Sequence, residues 1–433
     1  MRTQRLKPQI WVLAVVITVL GQIALSQNAY SQERWVATWA AAQQQGRPPG
    51  GGQRGGAAPA PAPAPGTPPP PATGFNNQTV RMVVRTTIGG RRIRVQLSNA
   101  YGTAALTVGA AHVGIRSQDS SIAAGSDRSL QFNGKRSVMI PPGANVLSDP
   151  VDLNVAKLSD LAISVFVPGE TGQLTSHATG LHTSYIAPGD LTAQPSMPAD
   201  ALTSNSWYFI SSIEVMAPAN AGAIVAFGDS ITDGATSTVN ANKSWPSQLA
   251  ERLAANSSTA NIAVLNEGIS GNRILREVTG TNALARFDRD VLGLPGVQWL
   301  MLLEGINDIG RGTATGTAPA DSVTADDIIG GMKQMIGRAH AHGIRVIGCT
   351  LTPYLGAAYA NDTGQAIRDA VNKFIRTPGN FDAFVDFDKA TQDPSNPKQF
   401  LAAYNNTDHL HPNDAGYKAM ADAVDLKIFA MKK

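Results

Sequence analysis

From Gly222 to the C-terminus, short apolar runs alternate with apolar stripes at helical spacing. Ala223–Phe227 is a run suited to a buried strand, and Trp245, Leu249 and Leu253 then fall on one helical face. Ile262–Leu265 and Trp299–Leu303 read as further buried strands. Ile328, Met332, Met335, Ile336 and Ala339 form a helical stripe before the run Val346–Thr350. Ile367, Ala370, Val371, Phe374 and Ile375 form another before Ala383–Phe387, and Tyr417, Met420, Ala421, Val424 and Ile428 mark a last helix. Strand and helix in alternation predict a parallel sheet with helices on both faces. Such a sheet places its ligand site beyond the carboxyl ends of its strands.

The half before Gly222 has a different texture. Val80–Ile88, Arg91–Ser98, Leu106–Ile115, Ser137–Ile140, Leu161–Val167, Thr183–Ile186 and Trp207–Val215 are short strand-like runs punctuated by Gly, Pro, Asn and Asp. They predict a β-sandwich, with Gly89-Gly90 read as the turn of a hairpin. Trp35–Trp39 looks like a strand of the same unit, and Gln43–Gly74 interrupts it. This interruption holds 8 Gly and 10 Pro in 32 residues, too little apolar material for a core, and is expected to be a disordered surface insertion.

Arg2, Arg5 and Lys7 precede the apolar run Ile10–Leu20, and small residues follow at Ala24, Ser26, Ala29 and Ser31. This predicts a Sec-type signal peptide over residues 1–31, cut after Ser26 or Ser31, and a secreted or periplasmic product. The apolar run is shorter than the roughly 18–20 residues of a membrane span, so no span is expected in the mature protein. The expected organisation is therefore a signal peptide (1–31), an N-terminal β-sandwich (32–221) with its insertion (43–74), and an α/β domain (222–433). Those three basic residues account for the whole net charge of +3, because residues 1–31 contain no Asp or Glu. With no basic excess outside the leader, a nucleic-acid partner is not expected. The single Cys349 excludes a disulfide scaffold or a cysteine-based metal site.

Polar residues cluster where the predicted strands end. Gly228-Asp229-Ser230 follows the first strand, Asn266–Asn272 the second and Gly305-Ile306-Asn307-Asp308 the third, while Asp408-His409-Leu410-His411-Pro412 lies before the last helix. Acyl transfer needs a nucleophile, a base, a group that orients the base, and donors for an oxyanion. Ser230, His411 and Asp408 can fill the first three roles in that order. The amides of Ser230 and Gly271 and the side chain of Asn307 can supply the donors. Pro412 favours an extended conformation at His411, on a loop from which the ring can reach Ser230. No cofactor or metal is required. Asp229 and Asp308 read as turn-shaping residues, and Asp233 and Glu304 as polar strand-end residues. His177 and His182 lie in a polar loop of the β half that could face the cleft. Arg273 and Trp245 are candidates for lining an acyl or sugar site, and Cys349 reads as a core thiol.

These blocks resemble the SGNH, or GDSL-type, hydrolase superfamily: Gly228–Ser230, Gly271, Gly305–Asp308 and Asp408–His411 stand in its order, with Ile231 where Leu is common. The Gly-x-Ser-x-Gly elbow of the α/β-hydrolases is absent, Thr232 standing at its second Gly. The resemblance implies a flavodoxin-like three-layer α/β/α hydrolase domain, here preceded by a jelly-roll-like β-sandwich. The longer stretches Ile269–Ile274, Leu303–Ile309 and Asp408–Tyr417 resemble a branch of secreted carbohydrate-esterase-like proteins, often lipolytic in description. That likeness implies a serine esterase acting on short acyl esters of small molecules or polysaccharide, with acetyl groups on plant polysaccharide as the expected case. Lipid or aryl esters are the alternative substrates. Two readings of other classes stay open: an inactive polysaccharide-binding envelope protein, and a metal-dependent hydrolase using Asp408 and His411. Oligomeric state is not legible.

Overall fold

A computed structural model describes residues 33–46, 74–277 and 279–429. The expected signal peptide, and residues 47–73 of the expected insertion, lie outside the described residues. Among the described residues no helix is long and apolar enough to cross a membrane.

The β half is built on two antiparallel sheets. One runs in the order Glu33–Ala40, Ile210–Pro218, Gly90–Ser98, Asn145–Leu147, with Val151–Val155 also paired to Gly90–Ser98. The other runs Leu202–Ser204, Ser184–Pro188, Gln78–Arg85, Asp160–Val167, Ala110–Gln118, Ser121–Ile122. Period-two patterning is clearest in Gly90–Ser98, where Ile93, Val95 and Leu97 are buried and Arg92, Arg94 and Gln96 are not. Trp35–Trp39 does lie in a strand of this half, paired antiparallel with Ile210–Pro218.

Two local expectations are corrected. Gln78–Arg85 and Gly90–Ser98 belong to different sheets, so Gly89-Gly90 closes no hairpin. The link crosses between sheets and is pinned to Thr38, whose Oγ1 accepts from the amides of Thr87 and Ile88 at 3.0 and 2.9 Å. These glycines are needed for close packing: a Cβ would meet the carbonyl oxygen of Val155 at 2.4 Å from Gly89 and that of Met216 at 2.6 Å from Gly90. The second correction concerns the near end of the insertion. Gln43 is buried, and Gln44–Gln45 forms a short strand on Thr175–His177, so residues 43–46 belong to the fold.

The α/β half carries one parallel sheet. Its order is Ile262–Gly268, Gly222–Gly228, Val297–Leu303, Arg345–Cys349, Ala383–Val385. In chain order this is 2-1-3-4-5, the flavodoxin-like arrangement, with its switch point between the first and third strands. The helices form two mutually packed groups, Trp245–Ala255 with Asp414–Asp422 and Phe387–Thr391, and Ala325–Ala341 with Ala283–Phe287 and Asp362–Arg376. The last helix is shorter than its apolar stripe: it ends at Asp422, and Leu426–Phe429 forms a separate turn.

The two halves share one continuous core. The Glu33–Ala40 strand lies against the edge strand Ile262–Gly268. Cross-links include Ala37 N–H to Pro295 O at 3.0 Å and Val264 N–H to Thr87 Oγ1 at 3.1 Å.

Candidate active site

Strand register brings the polar blocks together. Gly228 is paired with Gly268 on one side and Leu303 on the other, so the three chains leave the sheet at one level. Ser230 then opens a single helical turn, Ser230–Asp233. The cap of that turn is Asp229, whose carboxylate accepts the Ile231 amide at 2.9 Å. The hydroxyl of Ser230 is thus not used as a helix cap. It lies 2.7 Å from His411 Nε2, and His411 Nδ1 lies 2.5 Å from Asp408 Oδ2. Nδ1 faces a carboxylate and must carry a hydrogen, which leaves Nε2 of the neutral ring free to accept from Ser230.

The His411 loop is held from both sides. Asp408 Oδ1 accepts the amides of Leu410 and His411, both at 3.0 Å. Thr236, just after the Ser230 turn, donates its hydroxyl to Pro412 O at 2.8 Å. Burial tends to raise the Asp408 pKa, but the His411 ring and the two amides outweigh it and hold it at about 2. His409, by contrast, points away and is exposed, with its ring on Asn405.

Gly271 and Gly305 take the left-handed conformations the other two blocks need, with φ of 82° and 124°. Gly268 is the last residue of its strand. Gly305 opens the helix Ile306–Gly312, whose first turn carries Asn307. Asn307 Nδ2 is buried and has no hydrogen-bond partner among the described residues. Its Oδ1 accepts the Tyr359 hydroxyl at 3.5 Å, which points the unpartnered NH₂ the other way. An unused buried donor is costly unless a ligand completes it.

The turn-shaping aspartates act between blocks. Asp308 accepts the Ile274 and Leu275 amides at 2.7 and 3.1 Å, tying the second block to the third. Arg273 is buried beside it, 3.8 Å from its carboxylate. Asp229 is buried, and burial raises its pKa to about 7 against the opposing pull of the Ile231 amide and His411. Trp245 does not line the site: it is fully buried, its ring centroid 5.3 Å from that of Phe387. Cys349 is a core thiol whose pKa burial pushes well up. His182 bonds Asn242 at 3.0 Å, and His177 bonds Asp233 at 3.0 Å. Among the described residues no three His, Cys, Asp or Glu side chains gather as metal ligands would.

Arg286 is the organising residue that sequence reasoning missed. Fully buried, it donates to Asn272 Oδ1 at 2.9 Å, Glu267 O at 2.8 Å, Gly228 O at 3.0 Å and Asp290 at 3.2 Å. Its guanidinium lies 3.9 Å from the Phe227 ring centroid and 3.7 Å from Glu304. Burial pushes Glu304 well above the ordinary carboxylate range, and the charge of Asp229 adds to this while Arg286 opposes it. The only sequence signal was an Arg inside an otherwise apolar helical turn, Ala283–Phe287. Arg286→Met should cost about 3–5 kcal/mol, because it leaves the buried acceptors Asn272 Oδ1, Glu267 O and Gly228 O without their donor. Urea unfolding of the variant measures this, and a loss under about 1 kcal/mol would contradict the assignment.

A serine, histidine and aspartate in hydrogen-bonded series, with a buried unpartnered amide donor on the neighbouring strand end, is the arrangement a serine hydrolase uses. Residues 226–419 match the model of the GDSL-like Lipase/Acylhydrolase family, which supports a carboxylic ester hydrolase. Similar solved structures include a GDSL-like lipase from Bacteroides thetaiotaomicron, 22% identical over 48% of this chain and 87% of that one, with a TM-score of 0.36. Another is an acetylxylan esterase from Geobacillus stearothermophilus, 21% identical over 49% of this chain and 95% of that one, with a TM-score of 0.38. No curated protein matches the chain.

Proposed function

We propose that the protein is a secreted serine esterase that removes short acyl groups, acetyl groups on polysaccharide among them, through an acyl-enzyme. The observation that carries this reading is the His411 ring bridging Ser230 at 2.7 Å and Asp408 at 2.5 Å. In the first step His411 Nε2 takes the proton of Ser230 as Oγ attacks the ester carbonyl. The oxyanion that forms is held by the amides of Ser230 and Gly271 and by Asn307 Nδ2. His411 returns the proton to the departing alcohol, and the carbonyl is restored as the acyl-enzyme. Water, deprotonated by His411, then releases the acid and restores Ser230. Asp408 keeps Nδ1 protonated and offsets the charge the ring acquires.

The preference for short acyl groups rests on the resemblance of the longer stretches around the blocks. Secretion rests on the basic and apolar pattern of residues 1–31. In the same reading the two antiparallel sheets of the β half form a jelly-roll-like sandwich. A chain-length series of model esters, run beside acetylated xylan with acetate release measured, tests the substrate class. Rates highest for acetyl and propionyl esters are expected, and a maximum at long acyl chains would turn the reading to lipid esters. Asn307→Ala should lower kcat roughly 10²–10³-fold with little change in KM, the scale of one oxyanion donor. A fall in affinity alone would place Asn307 in ground-state binding.

A further inference from the structure

Close to Ser230 a buried histidine of the β half meets the α/β half. His177 ends the short strand Thr175–His177 and is 2% exposed. Its Nδ1 lies 2.8 Å from the carbonyl oxygen of Ala42, and its Nε2 lies 3.0 Å from Asp233 Oδ1. Both ring nitrogens face acceptors, so with an ionised Asp233 both carry hydrogens and the ring is a cation. Burial opposes that charge, but Asp233 and the Ala42 carbonyl outweigh it and raise the ring above the ordinary histidine value. Trp207 stacks on the ring with centroids 5.5 Å apart, fixing its plane.

Asp233 is the last residue of the turn that begins with Ser230. Its second oxygen, Oδ2, accepts both the amide and the hydroxyl of Ser270, at 2.9 and 2.7 Å. Ser270 immediately precedes Gly271. Thr179, two residues beyond His177, donates its own hydroxyl to Ser270 Oγ at 3.2 Å. One carboxylate thus joins the Ser230 turn to the Gly271 loop, and the β half supplies the cation that carboxylate needs when buried.

We infer that His177 is a positioning residue for ester hydrolysis: through Asp233 and Ser270 it sets the Gly271 amide relative to Ser230, so that the β half completes the oxyanion hole of the α/β half. This rests on the esterase reading above. The role differs from that of Asn307, since His177 acts on the hole through another residue. It also gives the β half a part in the chemistry besides any contact with substrate.

The test uses the full chain. His177→Ala and His177→Gln are compared with the parent, with active sites counted by fluorophosphonate labelling so that rates refer to competent molecules. The probe of the hole is a short trifluoromethyl ketone, whose adduct with Ser230 places an oxyanion there. For His177→Ala, kcat per labelled site should fall about 10–100-fold, the usual scale for a supporting partner, with KM within about threefold. Affinity for the ketone should fall in the same proportion. The Gln side chain can still donate to Asp233 and should recover part of both losses, and it carries the test if the Ala variant does not fold. A kcat per labelled site within twofold of the parent in the variants that fold would overturn the inference. So would a lower kcat with ketone affinity unchanged. Retained hydrolysis by Ser230→Ala would instead count against the esterase reading itself, which keeps the two failures apart.

Discussion

Ser230→Ala should lower kcat roughly 10⁶-fold, the scale seen when a triad nucleophile is removed, while leaving the fold unchanged. The second half of that expectation comes from the local structure. The helix cap at this turn is the Asp229 carboxylate, so Ala at position 230 removes no cap. Ala is also the best helix former. The only side-chain hydrogen bond lost is the one to His411 Nε2. Circular dichroism and unfolding midpoint should match the parent, and a fluorophosphonate should label the parent and not the variant. Ser230→Ala and His411→Ala combined should be little slower than either alone, since the pair acts as a unit. Turnover above about 1% of the parent by well-folded, unlabelled Ser230→Ala would remove Ser230 from the nucleophile's role.

The blocks themselves were readable because each sits at a strand end and each is short. Strand register then does the assembly: Gly228, Gly268 and Leu303 stand side by side, so residues two to four positions beyond them must meet. What the sequence hid was the support. Arg286 and Glu304 touch only after the second and third strands have flanked the first, and no spacing between them announces it. His177 and Asp233 lie 56 positions apart in different halves of the chain. Each, taken alone, reads as ordinary polarity in a loop. Trp245 failed in the opposite sense, because an aromatic near a serine block is as well suited to core packing, and Phe387 claims it. Gly89-Gly90 misled because a hairpin and a sheet-to-sheet crossing both need small residues, one for its φ and the other for the carbonyls packed against it.

Those supports also explain why the halves are joined by more than a linker. The Glu33–Ala40 strand covers the edge of the parallel sheet next to the second block, closing an edge that would otherwise be open for pairing. His177 arrives through the same contact region, from a strand paired with Gln44–Gln45. Covering the edge and bracing the Gly271 loop are therefore two results of one docking geometry.

Asp408→Asn should lower kcat by about 10⁴, the scale for a triad whose histidine takes the wrong tautomer, with KM little changed. The size of the effect follows from which way the new amide must face. Asp408 Oδ1 accepts two backbone amides, those of Leu410 and His411, each at 3.0 Å. In the variant those amides hold the carbonyl oxygen of Asn in that place, because turning it over would set its NH₂ against two N–H donors. The NH₂ group therefore faces His411 Nδ1, where the carboxylate oxygen Oδ2 stood at 2.5 Å. Nδ1 must then accept, which moves the ring hydrogen to Nε2 and aims it at Ser230 Oγ. A ring in that state cannot take the serine proton, although every heavy atom remains in place. In the parent the same two amides and the ring keep the Asp408 pKa at about 2, so any loss of activity on acidification between pH 7 and pH 4 does not come from protonating Asp408. Rate measurements on folded Asp408→Asn and on the parent, with active sites counted by labelling separate samples, across that range and into alkali check both points. A fall of less than tenfold would show that the tautomer of His411 is set by something other than Asp408.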